Sequence, residues 1–181
     1  MCEIAIINGT LGVGKTETSW EIMDLIQPAA LIDIDYLYAF KPKDYANAAQ
    51  QTHVYEAVDL LINHHQKLNI QRFIINGVFE TPVDLSRLWT LLNHTTRKIN
   101  AYRLICEQDV IQQRIKNRNE PHWQTHIGRS KQLANIQTAS AKTGNIGENI
   151  NTTILTLNEA AKMIIKDMQS CGFWSELTCL K

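Results

Sequence analysis

The sequence predicts an α/β fold of three layers, in which a five-stranded parallel sheet lies between helices on both faces. Short apolar runs alternate with segments whose apolar residues recur at helical spacing, and the alternation continues along the whole chain. Strands that alternate with helices are joined by right-handed crossovers, so they run parallel. The chain has 181 residues, of which 44% are hydrophobic and 20% are charged. This length and composition suit one globular domain over residues 1–181.

Five apolar runs predict the strands, and capping signals predict where helices begin and end. Pro28 ends the first helix near Gln27, because proline cannot continue a helix. Thr81 and Pro82 begin a helix after the third strand, as N-cap and first helical residue. Asn158 is the predicted cap of the last helix. The predicted strands are residues 2–8, 29–34, 72–76, 99–106 and 150–155, and the other predicted helices lie within residues 44–68, 108–118 and 157–168.

Charge and hydropathy give no reason to expect nucleic acid or a membrane as a partner. Lysine plus arginine totals 18, and aspartate plus glutamate also totals 18, so nothing favours nucleic acid or an anionic membrane surface. No stretch approaches the roughly 20 apolar residues of a membrane span. The first apolar run leads into a glycine-rich loop, which is unlike a signal peptide, so we expect a cytoplasmic protein. The four cysteines form no CxxC pair and are expected to be reduced thiols: Cys2, Cys106, Cys171 and Cys179.

The loop after the first strand carries the most specific motif. Its sequence, GTLGVGKT, fits the pattern G-x-x-x-x-G-K-[ST] between a strand and a helix. Glycines let the backbone curl so that its N–H groups converge on phosphate oxygens, and the following helix adds its N-terminal dipole. A glycine turn without a ligand would leave Lys15 unexplained. The predicted phosphate-binding residues are Gly9, Thr10, Leu11, Gly12, Val13, Gly14, Lys15 and Thr16.

Together with three shorter matches, this loop resembles the P-loop small-molecule and nucleotide kinases, such as shikimate kinase, gluconate kinase and chloramphenicol phosphotransferase. Asp33-Ile34-Asp35 resembles the D-x-D that ends the family's second strand. Arg114 and Arg118, in RIKNR, resemble the arginines at the entry to the family's lid. The segment 151–156 (NTTILT) resembles the family's segment beside the adenine, which implies that Thr152 and Thr153 contact the nucleotide.

The resemblance implies a P-loop NTPase fold with strand order 2-3-1-4-5, and ATP and Mg²⁺ as cofactors. It also implies a small mobile lid, which falls at residues 118–135 here. The polar composition of that segment suits a lid that opens to solvent. Arg129 lies in it and is predicted to reach the phosphates beside Arg114 or Arg118. Arg114 is also predicted to contact the nucleotide.

Phosphoryl transfer needs a phosphate cradle, a metal, mobile cations and a base near the acceptor. Lys15 is predicted to bridge the terminal phosphates, and the Thr16 hydroxyl to ligate Mg²⁺ with help from Asp33. Strand alternation predicts that Asp33 and Asp35 lie on one face, with Asp35 as the base that accepts the proton of a substrate hydroxyl. The alternative is that both acids belong to a solvated strand end or a helix cap. Asn76 stands where many P-loop proteins have a metal-binding aspartate.

Together with the resemblance, which alone implies ATP, these residues predict an ATP-dependent kinase that phosphorylates a hydroxyl group of a small molecule. Two alternatives stay open: a nucleotide-binding regulatory or interaction protein, and a nucleoside-triphosphate hydrolase. The predicted acceptor region is aromatic and only modestly basic, which favours a neutral or zwitterionic acceptor. The sequence leaves open whether the protein is a monomer or a homodimer. The acceptor region contains Tyr36, Tyr38, Phe40, Lys41, Lys43, Phe79, Glu80 and Arg87.

Overall fold

The structure is a computed structural model, and it describes residues 1–93, 97–119 and 121–174 of the chain. Strands and helices alternate along these residues, as the sequence predicts. The strands are β1 (Cys2–Gly9), β2 (Ala29–Asp33), β3 (Arg72–Asn76), β4 (Arg97–Ile105) and β5 (Glu148–Asn151). The helices are α1 (Lys15–Leu25), α2 (Ile34–Leu37), α3 (Ala48–Gln66), α4 (Pro82–Leu92), α5 (Gln108–Asn117), α6 (Trp123–Ser140) and α7 (Leu157–Ser170).

The five strands form one parallel sheet in the order β2-β3-β1-β4-β5, which confirms the predicted topology. The central strand β1 pairs with β3 on one side and with β4 on the other, so that Ile6 lies opposite both Ile75 and Ala101. At the carboxyl end of the sheet, Asp33 of β2 lies opposite Asn76 of β3. Ligands bind beyond this end of open parallel sheets, where the chain order reverses. The glycine loop after β1 lies at that reversal.

Helices cover both faces of the sheet, because successive strand residues point to opposite sides. One face buries a cluster that includes Ile6 and Phe73 with Val58 of α3. The other face buries Ile7 with Ile22 of α1 and Ile164 of α7, among others. The two clusters make the three-layer α/β architecture that the sequence predicts. Among the described residues, no helix has both the length and the apolar character required to cross a lipid bilayer.

Three local predictions differ from the structure. The fifth strand is Glu148–Asn151 rather than residues 150–155, because residues 152–155 form the loop that leads into α7. The cap of α7 is Thr156 rather than Asn158, since Thr156 forms a reciprocal capping box with Glu159. The first helix ends at Leu25, and the second long helix begins at Ala48.

Most of the predicted lid segment belongs to the 18-residue helix α6. Its side chains at Ser130, Leu133 and Gln137 share a buried side, while most of the rest of the helix is exposed or half-exposed. Arg103 of β4 donates a hydrogen bond to the Gln137 carbonyl oxygen, 2.7 Å away. The polar composition of this segment therefore reflects one exposed side of a packed helix. The motion of residues 118–135 stays a prediction.

Candidate active site

The glycine loop forms a tight bend between β1 and α1 at the carboxyl end of the sheet. Gly9, Gly12 and Gly14 have φ values of 147°, 77° and 100°, which residues with a side chain rarely adopt. At Gly12, a Cβ atom would also come within 2.6 Å of the Ile115 side chain on α5. This loop therefore needs its glycines both for backbone curvature and for its close approach to α5.

The N-terminus of α1 has the features of an anion-binding site. Its N-cap is Gly14, which has no side chain to accept hydrogen bonds from the first amides of the helix. Lys15, the first helical residue, is only 8% exposed, and its Nζ donates to the Thr10 carbonyl oxygen across the loop at 3.1 Å. Burial lowers the pKa of Lys15, while the nearby Asp35 and Asp33 act in the opposite direction. A phosphate group would supply the strong counter-charge that a buried ammonium group requires.

Three polar side chains meet where β2, β3 and α1 come together. The side-chain amide of Asn76 donates to the Thr16 hydroxyl oxygen at 3.0 Å and to an Asp33 carboxylate oxygen at 2.9 Å. Asn76 is buried, with 1% exposure. Burial raises the pKa of the Asp33 carboxyl, and a hydrogen bond from the Asp35 N–H acts against that rise. The cluster presents a hydroxyl and a carboxylate side by side, which are oxygen ligands of the kind that Mg²⁺ prefers.

The prediction that Asp33 and Asp35 share one face of a strand is wrong. The strand ends at Asp33, whose side chain accepts a hydrogen bond from the Asp35 N–H at 2.9 Å and so caps the short helix α2. Asp35 lies in the first turn of α2 and is exposed. The structure therefore has the helix cap that the sequence suggested as the alternative to a shared strand face. Asp35 still lies near the loop, since its charge acts on Lys15.

The three predicted arginines have different surroundings. Arg114 donates to the Val13 carbonyl oxygen at 3.2 Å and to the Thr152 carbonyl oxygen at 2.9 Å, so it links the glycine loop to the segment before α7. Arg118 forms an exposed ion pair with Glu17, in the first turn of α1. Arg114 and Arg118 thus both lie beside the loop.

Arg129 has one partner in the loop after β3 and one on its own helix. It forms an ion pair with Glu80 in the loop after β3 and donates to the Gln132 side chain at 2.9 Å. The next residue, Ser130, donates to the Leu11 carbonyl oxygen at 2.7 Å. Helix α6 therefore contacts the glycine loop through Ser130 and the β3 loop through Arg129.

The two predicted nucleotide-binding threonines bond to neighbouring loops. The Thr152 hydroxyl is buried and lies 3.3 Å from the Val13 and Ile105 carbonyl oxygens. The Thr153 hydroxyl accepts from the Glu107 N–H at 3.0 Å, next to the start of α5. These contacts hold the segment before α7 against the glycine loop, beside Arg114.

A buried polar network behind the loop was missed by the sequence analysis. The Asn8 side chain accepts from the N–H groups of Gly9 and Phe79 and donates to the Phe79 and Ile146 carbonyl oxygens. Gln137 of α6 donates to the Asn8 side chain and to the Phe79 carbonyl oxygen, each at 3.0 Å. One signal was present in the sequence: Asn8 is a polar residue at the end of an otherwise apolar strand, immediately before the glycine loop.

An aromatic pocket lies on the connection between α2 and α3. Its volume is about 250 Å³, and its lining consists of Tyr38, Ala39, Phe40, Lys41 and Lys43. The Tyr38 ring also contacts the ring of Tyr45, with centroids 4.6 Å apart. The predicted acceptor region is therefore partly built from aromatic side chains that pack against one another.

The fold defined by this sheet order and glycine loop is that of the P-loop small-molecule kinases. The tunicamycin resistance protein of Deinococcus radiodurans has a similar structure, with 16% identity, a TM-score of 0.67, and coverage of 96% of this chain and 97% of that one. Shikimate kinase from Acinetobacter baumannii, solved with shikimate, has 13% identity, a TM-score of 0.64, and coverage of 98% and 97%. A sugar kinase from a Janibacter species has 13% identity, a TM-score of 0.62, and coverage of 98% and 96%.

No protein-family model matches the sequence, and no curated protein matches it in sequence. Identities this low show a shared fold. The reaction and its substrates therefore have to be argued from the residues of the site.

Proposed function

We propose that the protein transfers the γ-phosphoryl group of Mg-ATP to a hydroxyl group of a small molecule. The observation that carries this proposal is the buried Lys15 ammonium beside the uncapped N-terminus of α1, with two carboxylates close enough to act on it. This arrangement combines a phosphate cradle with acids that serve a metal and an acceptor. Phosphoryl transfer depends on such positioning and charge neutralisation more than on covalent chemistry.

Thr16 and Asp33 would hold the magnesium ion. The Asn76 amide brings their oxygens together by hydrogen bonds of 3.0 and 2.9 Å, so the donor set fits a hard divalent cation that retains several waters. When bound, the ion neutralises charge on the phosphates. Asn76 contributes no charge of its own, so Asp33 is the carboxylate of this cluster.

Asp35 would accept the proton of the acceptor hydroxyl. It is exposed at the start of α2, and its backbone N–H is held by Asp33, so its carboxylate is free of the capping role that Asp33 fulfils. Lys15 would bridge the terminal phosphates. The proposed reaction therefore takes place between the glycine loop and α2.

Arginines and threonines complete the proposed nucleotide site. Arg114 and Arg118 would neutralise phosphate charge from α5, because both already contact the loop or the first turn of α1. Thr152 and Thr153 would form the side of the site next to Arg114. Arg129 would need to leave Glu80 to reach the phosphates.

An acceptor-dependence assay tests the proposal. ATP consumption in the presence of Mg²⁺ should rise with one class among nucleosides, sugars, sugar acids and antibiotic-like alcohols. A hydrolase would consume ATP equally without an acceptor, and a regulatory nucleotide-binding protein would turn over little with any. Either of those results would contradict the proposed transfer.

Replacement of the proposed base gives a sharper test. Asp35→Asn should keep nucleotide binding and lose at least about a hundredfold in transfer rate, as expected when general-base catalysis is removed. Asp24→Asn, an exposed acid on α1, is the matched control and should transfer normally. Unchanged transfer by folded Asp35→Asn would remove Asp35 from the base role.

A further inference from the structure

We propose that the ion pair between Glu80 and Arg129 makes the acceptor site selective for alcohols without a carboxylate or phosphate group, such as neutral sugar-like polyols. The inference rests on the proposed phosphoryl transfer and names its substrate class. It assigns to Glu80 a role in choosing the acceptor, and it assigns the same role to Arg129 while the arginine is paired with Glu80.

The pair joins helix α6 to the loop that follows β3. Arg129 precedes Ser130, which bonds to the glycine loop, so the arginine lies at the edge of the phosphate site. Glu80 follows β3, whose last residue is hydrogen-bonded to Asp33 at the end of β2. The ion pair therefore joins α6 to the β3 loop across the carboxyl edge of the sheet, where open parallel sheets bind their ligands.

The backbone around Glu80 is fixed on both sides. Phe79 before it is 1% exposed, and its N–H and carbonyl groups are held by the side chains of Asn8 and Gln137. Thr81 after it is the N-cap of α4 and forms a capping box with Asp84. The Glu80 carboxylate is thus presented from a rigid segment, and its pairing with Arg129 belongs to the folded protein before any acceptor binds.

An arginine engaged in this way is a poor receptor for an acidic acceptor. Free guanidinium groups recognise carboxylates and phosphates through paired hydrogen bonds. Here the Arg129 side chain already donates to Glu80 and to Gln132. An acidic acceptor would also meet the negative charges of Glu80 and Asp35, whereas the hydroxyl groups of a neutral polyol can donate hydrogen bonds to the Glu80 carboxylate.

Other cations near the acceptor region have local contacts. Arg87 of α4 donates to the Gln51 side chain at 2.7 Å. The Lys43 ammonium lies 4.6 Å from the centre of the Tyr45 ring on its own loop. Lys41 lies on the same loop and lines the aromatic pocket. Arg129 is therefore a cation that an acidic acceptor could recruit between the glycine loop and the loop after β3 only by breaking an existing ion pair.

A matched panel of acceptors tests the proposal on the full chain. Each neutral alcohol, among them glucose, glucitol and a nucleoside, is paired with the carboxylate made by oxidising one of its carbons. The measured quantity is the ratio of kcat/KM for the neutral member to kcat/KM for the acidic member, from ATP consumption. We expect a ratio above one for the pair that supports transfer. A ratio below one would overturn this inference while leaving the proposed kinase activity intact.

Variants of the two paired residues test whether the ion pair determines that ratio of kcat/KM values. Glu80→Gln frees Arg129 and should lower the ratio about threefold or more, in line with the modest energies of partly exposed charges. Glu148→Gln, at the opposite edge of the sheet, is the control and should leave it unchanged. If Glu80→Gln does not fold, Arg129→Gln supplies the second measurement and should raise the ratio. An unchanged ratio in the folded variant contradicts the proposal. Bound nucleotide without transfer to any acceptor overturns the proposed function and this inference together.

Discussion

At the residue scale, Asn76 explains how the candidate metal site is built without a second carboxylate. Many P-loop proteins place an aspartate at the end of this strand, and an aspartate here would put two negative charges within hydrogen-bond distance. Asn76 instead donates hydrogen bonds to both Thr16 and Asp33. In the proposed magnesium site, its role would be to position these two oxygens, as outer-sphere partners commonly do.

Replacing this amide should weaken the magnesium dependence. In Asn76→Ala, Thr16 and Asp33 lose their shared donor, and we expect the half-saturating Mg²⁺ concentration for ATP consumption to rise roughly tenfold. Asn135→Ala, on the exposed side of α6, is the control. Circular dichroism checks that both variants fold. Equal Mg²⁺ dependence in the two variants would show that Asn76 has no positioning role.

The carboxyl of Asp33 should make stability depend on pH. Burial raises its pKa in the folded protein, so the folded state keeps this proton at pH values where the unfolded chain has lost it. The contribution to the free energy of unfolding therefore falls as the pH rises from the ordinary pKa of aspartate through the raised folded value, and the cost is complete once the pH exceeds that folded value.

The variant Asp33→Asn removes that cost and keeps a residue that can cap α2. Relative to the wild type, we expect the thermal midpoint of the nucleotide-free variant to be higher at pH 7. We expect it to change little at a pH below the ordinary pKa of aspartate. Thermal unfolding at both pH values measures this. A lower midpoint at pH 7 would show that ionised Asp33 stabilises the fold.

At the scale of elements, α6 connects the two sides of the candidate site. Its Ser130 contacts the glycine loop, and its Gln137 bonds to Asn8 and Phe79 behind the loop. The hydrogen bond from Arg103 fixes the same part of the helix to β4. A motion of the predicted lid would therefore involve the segment before Ser130 more readily than the segment around Gln137.

Loss of the Gln137 side-chain amide should destabilise this packing. Gln137→Leu keeps an apolar stem but removes donors to two buried acceptors, so we expect the free energy of unfolding to fall by about 1–3 kcal/mol. Urea denaturation gives the value, with Thr138→Leu on the exposed side of α6 as the control. Equal losses in both variants would indicate that the network contributes nothing specific.

At the scale of the whole molecule, local signals in the sequence predict the layer architecture and the phosphate loop. Apolar runs such as residues 2–8 and 72–76 predict strands by themselves, and the alternation with helices predicts a parallel sheet. The spacing from Gly9 to Thr16 predicts a bend between a strand and a helix. The structure confirms the fold class and the strand order.

Other parts of the site depend on contacts between residues far apart in the chain. Arg129 and Glu80 are 49 residues apart, and Gln137 and Asn8 are 129 apart, so no local pattern could pair them. The prediction for Asp33 and Asp35 was wrong because strand alternation was extended two residues beyond the strand's end at Asp33, which caps a helix. Helix N-caps and strand ends favour the same small polar residues, so the sequence alone does not distinguish a helix cap from the end of a strand.

Binding of Mg-ATP to wild type and to Lys15→Ala, measured by titration calorimetry, tests the central claim most directly. The wild-type protein should bind with a measurable affinity, and Lys15→Ala should lose at least about tenfold, the value of a charge-assisted hydrogen bond to phosphate. Lys131→Ala, an exposed lysine on α6, should bind like the wild type. A folded Lys15→Ala that binds Mg-ATP as tightly as the wild type, or a wild type that does not bind it, would contradict phosphate binding by the glycine loop.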